Sequence, residues 1–277
     1  MKCERKCTIC NIVGHRSDNK RFHPNKTGAK TEPSAKTEPS AKTEPKISQE
    51  EYDTTIVEIA MIAKSICVKK ADYDDNDDSD DCDGRIDSAM KEKPFLNEMK
   101  RILQEKHPEW DVVIPPSRAP NDIIINSIRI NLKLTDCKSS DNCVNKPSIY
   151  YSITGLTTYP YSSNWNEFLD RLSDAKTANQ IKKQRYKPTE YHYLVKNKLT
   201  GDVLFKPIFD IHNYVSNASN DLQINWKNEF AHSEYHTEDV DYRGKVESLL
   251  VCIQKSVKEM IERTRRFAEA DMSSLLI

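Results

Sequence analysis

Several stretches of the chain carry a hydrophobic period, and the periods differ. Behind Ser48, a residue suited to capping a helix N-terminus, Ile56, Ile59, Ala60, Ala63 and Cys67 recur at helical spacing. From about Pro94 a second helical stripe runs through Phe95, Leu96, Met99, Ile102 and Leu103 until Pro108 stops it. Trp165, Phe168, Leu169 and Leu172 predict a helix over 165–172. Val246, Leu249, Leu250, Ile253, Val257, Met260 and Ile261 form one face of a long closing helix. Elsewhere the pattern is that of strands. Short β-branched runs stand at Val112–Ile114 and Ser148–Thr154, and Tyr191–Lys196 with Val203–Lys206 reads as a hairpin around Thr200-Gly201. Helices before and after a mixed sheet predict an α/β (α+β) domain.

The sharpest pattern lies at 122–134. Asn126-Ser127 reads as a two-residue hairpin turn, since Asn tolerates the positive φ such turns need. Register counting then pairs Ile125 with Ile128, Ile124 with Arg129, Ile123 with Ile130 and Asp122 with Asn131. One face of the hairpin is Ile123, Ile125, Ile128, Ile130, Leu132 and Leu134, entirely apolar. The other carries Asp122, Asn131 and Lys133. Cross-strand Cβ atoms lie roughly 4.5–5.5 Å apart at such pairs, so an acid, an amide and a lysine share one face. A divalent cation held there by acidic oxygens, with a lysine beside the attacking water, is the chemistry that phosphodiester hydrolysis needs.

Composition bounds this reading. A chain of 277 residues accommodates one large domain and an appendage. The net charge of −1 does not advertise a nucleic-acid binder, yet Asp72–Asp83 is acidic while Lys182–Lys187 and Lys196–Lys198 are basic. Attraction to phosphate depends on such local charge. Lys182, Lys183, Arg185 and Lys187 fit a solvated face as well as a phosphate clamp. The acidic run is not an EF-hand loop, because Met90 stands at the twelfth position where that loop needs Glu. No apolar run is long enough for a membrane-spanning helix, and the N-terminus lacks the apolar segment of a secretory signal. An intracellular, reducing location without a membrane partner is expected.

Three of the eight cysteines fall in the first ten residues, which suits a metal motif better than a disulfide framework. Cys7-Thr8-Ile9-Cys10 followed by Gly14-His15 matches most of a zinc knuckle. Lys20 stands where a knuckle has its last cysteine, so His23 or Cys3 supplies the fourth ligand that tetrahedral Zn²⁺ requires. Residues 1–24 are therefore read as a small Cys/His module binding zinc through Cys7, Cys10, His15 and His23. Such a module adds nonspecific nucleic-acid affinity or a protein contact. Residues 25–46 repeat Ser/Gly-Ala-Lys-Thr-Glu-Pro at 28–33, 34–39 and 40–45, a proline-punctuated composition without large apolar side chains that predicts an extended linker. The main domain is 47–277.

Pro120-Asn121-Asp122 followed by Asn131-Leu132-Lys133 resembles the active-site pattern of the PD-(D/E)xK nuclease superfamily, in particular type II restriction endonucleases. There, Pro-Asp is followed at a short interval by Asp/Glu-x-Lys. Here one residue is inserted in the first half, and Asn131 stands in place of an acid. The family's acid on a helix ahead of the hairpin is matched by Glu98 in Phe95-Leu96-Asn97-Glu98-Met99. The resemblance runs on through Ser140-Asp141-Asn142, Asn145-Lys146 and the Asn-rich block 213–226, covering roughly 90–265. It implies a restriction-endonuclease-like central mixed β-sheet flanked by helices, with Mg²⁺ at Asp122 and Glu98 and Lys133 acting on the attacking water. Asn131 either coordinates through its carbonyl oxygen with Glu98 compensating, or supports Asp122 as the dominant ligand. Asp141, Asn142, Lys146, Asn217, Asn220, Gln223 and Asn225 are candidate DNA contacts, because Asn and Gln pair bidentately with adenine edges. The competing role for these Asn residues is local turn bonding. The implied activity is Mg²⁺-dependent, site-specific cleavage of double-stranded DNA by a homodimer whose interface is formed by the helices near 48–67 or 245–268. A structure-specific repair or recombination nuclease is the alternative within enzymes, and a non-catalytic zinc-knuckle nucleic-acid-binding protein the alternative outside them.

Overall fold

A computed structural model describes residues 47–68, 84–116, 119–137, 141–142, 145–159, 164–219, 221–231 and 241–269. The module carrying Cys7, Cys10, His15 and His23, the linker, the acidic run and Asn220 lie outside the described residues.

Helix α1 (Gln49–Ser65) starts at a capping box: Ser48 Oγ accepts the Glu51 N–H at 3.2 Å and Glu51 Oε2 accepts the Ser48 N–H at 2.8 Å. Its buried face is Tyr52, Thr55, Ile59, Ile62 and Ala63, rotated slightly from the predicted stripe, and Cys67 is exposed beyond its end. Helix α2 (Gly84–Lys106) begins well before Pro94, which stands inside it. A proline there removes one backbone donor from the helix, and the buried Phe95, Leu96, Met99 and Leu103 anchor the segment that follows.

Strands β1 (Val112–Val113), β2 (Ile123–Ile125) and β3 (Ile128–Thr135) follow. The two-residue β4 (Asp141–Asn142) precedes helices α3 (Lys146–Thr154) and α4 (Trp165–Thr177). Next come β5 (Tyr191–Asn197), β6 (Val203–Pro207), β7 (Tyr214–Asn217) and β8 (Asp221–Ile224). Helices α5 (Trp226–Ala231) and α6 (Tyr242–Ala268) end the described chain. The 190–206 hairpin is β5 against β6, antiparallel, as its pattern predicts.

One five-stranded mixed sheet has the order β1-β2-β3-β5-β6. Its pairs are antiparallel except β3 and β5, which run parallel and therefore need the crossover that α3 and α4 supply. A second, antiparallel sheet has the order β4-β8-β7. Helices α1 and α2 pack with the six Ile and Leu side chains of the 123–134 hairpin and with Leu194. On the other face of the sheet, Tyr191, Tyr193 and Val195 join side chains of α3, α4 and α6. Each large side chain so buried stabilises the fold by about 1.5–3 kcal/mol. No helix of the described residues is long and apolar enough to cross a membrane.

The strand expected over Ser148–Thr154 is helix α3 instead. Every residue from Pro147 to Thr154 is buried, so its hydrophobicity carries no period to read. Local chemistry decides: Asn145 Oδ1 caps the Ser148 N–H at 2.9 Å, Pro147 sits in the first turn, and Gly155 at φ 76° takes the left-handed position that ends the helix. Lys196, expected in a basic patch, is 3 % exposed. Its Nζ donates to the Ala63 and Lys64 carbonyls at 2.8 and 3.0 Å, satisfying orphan acceptors in the last turn of α1.

Glu229 ties the two sheets together. Its fully buried carboxylate accepts from Lys206 Nζ at 2.8 Å, from the His212 and Asn213 N–H groups at 3.2 and 3.1 Å, and from Asn213 Nδ2 at 2.7 Å. Burial pushes its pKa up, but the Lys206 and Asn213 bonds outweigh it and hold the carboxyl below the usual range. With a depressed folded pKa, its contribution is present above the unfolded value and lost as pH falls through the folded one. Glu229→Ala strands the Lys206 charge and should cost about 3–5 kcal/mol in urea unfolding. Glu229→Gln should also flatten the acid limb of stability against pH, and an unchanged acid limb would remove Glu229 from this role.

Candidate functional site

The hairpin turn holds Asn126 at φ 48° and Ser127 at φ 70°, the two positive values of a type I′ turn. A reciprocal pair fixes its tip: the Asn126 N–H donates to the Asp111 carbonyl at 2.9 Å, and the Asp111 N–H to Asn126 Oδ1 at 3.0 Å. The ladder pairs Ile125 with Ile128, Ile124 with Arg129 and Ile123 with Ile130, the counted register. It stops one pair short of Asp122 and Asn131. The Asp122 N–H turns to the Ile130 carbonyl at 2.9 Å, and Asp122 Oδ2 accepts the Leu132 N–H at 2.8 Å. The carboxylate is thereby clamped against the Asn131–Leu132 peptide.

The polar face of this hairpin is covered. Parallel pairing sets Arg129 beside Tyr191, Asn131 beside Tyr193 and Lys133 beside Val195, on the side where α3 packs. Asn131 is only 9 % exposed, and its Oδ1 is buried with no hydrogen-bond partner. Burial pushes the Asp122 carboxyl above the usual carboxylate range, against the opposing pull of the Lys133 charge and the Leu132 N–H. A carboxylate that burial disfavours, an orphaned amide oxygen and a nearby lysine thus converge on one short stretch of β3.

One carbonyl positions the segment that carries Asp122. Pro120 O accepts from Asn145 Nδ2 at 3.0 Å, from Ser148 Oγ at 3.3 Å and from the Tyr191 hydroxyl. The start of α3 and the start of β5 therefore grip the chain two residues before the acid.

Glu98 is not brought to this face. It lies on α2, which packs on the apolar side of the hairpin, and Arg101 engages both its oxygens at 2.7 and 2.9 Å. That pairing holds its carboxyl below the usual range. The apolar stripe of α2 has to face the isoleucines, so a residue at its border points away from the polar face. Among the described residues, no group of three His, Cys, Asp or Glu side chains is placed to hold a metal ion. The donor set of Asp122 and Asn131 suits a small hard cation of the Mg²⁺ kind, which takes one or two carboxylates and fills its shell with water and phosphate oxygens.

The remaining candidates divide. Asn142 on β4 stands opposite Gln223 on β8, and Asp141 opposite Ile224, so two distant blocks of sequence meet in one sheet. Lys146 lies 3.5 Å from Asp221 Oδ2 and 4.4 Å from the Trp165 ring centroid, while Trp165 Nε1 donates to Asp221 Oδ1 at 2.7 Å. Asn217 and Asn225 take the turn-bonding role: Asn217 Oδ1 accepts the Ser219 N–H at 2.7 Å, and Asn225 Oδ1 accepts the Asn228 N–H at 3.1 Å at the start of α5. Arg185 is held by buried Glu190 at 2.6 Å and by Asp210 at 2.7 Å, so it is a structural cation. Asn121 and Arg129 received no role from the sequence pattern. The inserted residue at 121 was their only signal.

No protein-family model, curated protein or solved structure matches the chain.

The raised folded pKa of Asp122 gives a sign that can be measured. Its favourable contribution is complete below the unfolded carboxylate pKa and is lost as pH rises through the folded value, because the native state holds the proton longer. In EDTA, wild type should lose stability across that window relative to Asp122→Asn. A bound cation would relieve the same penalty, so millimolar MgCl₂ at neutral pH should raise the Tm of wild type and not of Asp122→Asn. Equal Mg²⁺ shifts in both proteins would exclude Asp122 as a ligand.

Proposed function

We propose that this chain is a Mg²⁺-dependent endonuclease that hydrolyses phosphodiester bonds in double-stranded DNA, similar to type II restriction enzymes of the PD-(D/E)xK superfamily. The observation that carries the reading is the clamped, destabilised Asp122 carboxylate beside Lys133 and the orphaned Asn131 Oδ1. The mixed sheet with helices on both faces, and the counted hairpin register, support it.

Asp122 would hold the ion through the oxygen not engaged by Leu132, with Asn131 Oδ1 as a neutral second ligand. When bound, Mg²⁺ polarises the attacking water and offsets charge on the leaving oxygen. Lys133 would orient that water and stabilise charge developing on the phosphorus oxygens. The Leu132 N–H keeps the Asp122 carboxylate from turning toward solvent. A homodimer presenting two such sites would cut both strands of a two-fold symmetric target.

The bonding of Asn217 and Asn225 to local backbone favours one second reading, a nuclease of the same chemistry that recognises DNA structure, because it removes two base-reading candidates. Plasmid DNA incubated with Mg²⁺ separates the readings: discrete bands support site-specific cleavage, and smears or preferred cutting of branched substrates support the structural one. A gel shift without cutting would reject both. Asp122→Ala should abolish cleavage, and Lys133→Ala should slow it about 10²–10⁴-fold, with DNA binding kept in each. Full activity in either purified variant would sink the assignment.

A further inference from the structure

Between the 120–122 segment, the start of β3 and α3 lies a cavity of about 180 Å³. Asn121, Arg129, Ser148, Tyr151 and Tyr191 line it, and among the described residues no carboxylate does. The donors it offers are the Arg129 guanidinium and the Asn121 amide, because the Ser148 and Tyr191 hydroxyls already donate to the Pro120 carbonyl. The Arg129 guanidinium, a permanent cation, lies 4.8 Å from the Tyr151 ring centroid, which holds it in orientation. Its Nη1 donates to Asn121 Oδ1 at 3.4 Å. That bond settles which way the amide faces, since a guanidinium offers only donors. The Asn121 Nδ2 is then left for an acceptor, and the described residues provide none: the side chain is 3 % exposed and this nitrogen has no hydrogen-bond partner among them. The first turn of α3, with Pro147 and Ser148, adds the positive end of a helix to the same wall.

Position relates this cavity to the site already described. Asn121 adjoins Asp122 in the chain, and Arg129 is two residues from Asn131 on the same face of β3, about 6.6 Å along a strand. That is close to the separation of successive phosphates on one nucleic-acid strand. We infer that the cavity takes a phosphodiester group neighbouring the one at Asp122, with Arg129 and Asn121 as its donors. The identity of the ligand as nucleic acid rests on the nuclease reading, whereas the anion chemistry does not.

The test uses the full chain in EDTA, so that no cleavage intervenes. Inorganic phosphate, followed by calorimetry, should bind saturably to wild type and to Asp122→Asn. Arg129→Gln and Asn121→Asp should lose that binding, with circular dichroism showing that both remain folded. Arg129→Lys, which keeps the charge without the fork, should retain binding weakened about tenfold. For a short DNA duplex, Arg129→Gln should weaken affinity evenly across sequences and lower the slope of log K against log salt by about one. Absence of phosphate binding in wild type, or binding unchanged in the variants, overturns the inference. Phosphate binding without any change in the duplex slope assigns the cavity to free phosphate and overturns the phosphodiester claim. A chain that binds phosphate as described yet never cuts DNA with Mg²⁺ counts against the nuclease reading, while one that cuts but binds no phosphate counts against the cavity alone.

Discussion

Strand β3 is buried on both faces, and much of the architecture answers the demands this makes. Its apolar side chains require the cover that α1 and α2 supply. Its other side carries Arg129, Asn131 and Lys133, which cannot be buried without partners except at a cost. The parallel ladder to β5 makes that second burial unavoidable, because a parallel pair needs a crossover and the crossover helices lie on the sheet. Polar groups brought inside in this way are either satisfied within the fold or left without a hydrogen-bond partner among the described residues. The Pro120 carbonyl belongs to the first kind, with donors from α3 and β5. The Asn131 oxygen and the Asn121 nitrogen belong to the second.

Two buried carboxyl groups show how the distinction can be drawn. Burial raises the pKa of both. At Glu229 four donors, one of them cationic, reverse the effect, and the group serves to join segments of the fold. At Asp122 the Leu132 N–H and the Lys133 charge oppose burial without overcoming it. An acid left with a raised pKa in a covered position is where a cation or a proton has most to contribute, which is why perturbed carboxylates cluster at functional sites. His192 marks a third outcome. Burial drives its pKa down to about 3, and the neutral ring fits between the Glu190 carbonyl and the Tyr52 hydroxyl. Neutralisation there is structural, since both nitrogens have partners.

The site was legible wherever strand period was strong. Ile128 to Leu134 alternates behind an Asn-Ser turn that three isoleucines precede, so the apolar face and the three-pair register could be counted from the residues. Glu98 could not be placed that way. A helical wheel locates a residue relative to its own stripe, but which side of the sheet the stripe meets is a tertiary fact, and α2 meets the isoleucines. The Asn-rich block was ambiguous for a related reason: the same amide that reads a base also bonds its own backbone, and two of its members do the latter.

Hydrophobic period and turn chemistry alone determined the hairpin, the β5–β6 pair and the closing helix, because each carries its signal in its own residues: positive-φ turns at Asn126-Ser127 and Gly201, and a helical stripe from Val246. Only the tertiary structure decided α3, where burial on all sides erases the period and a cap at each end selects the helix. It also decided that Lys196 and Arg185 are interior cations bonded within the fold, since charge in a sequence says nothing of depth. Above all it decided that the polar face of the hairpin is covered. From the residues that face reads equally as wet surface or as site. The crossover to β5 covers part of it, and that cover is what leaves Asn131 and Asn121 with buried atoms that the described residues do not satisfy.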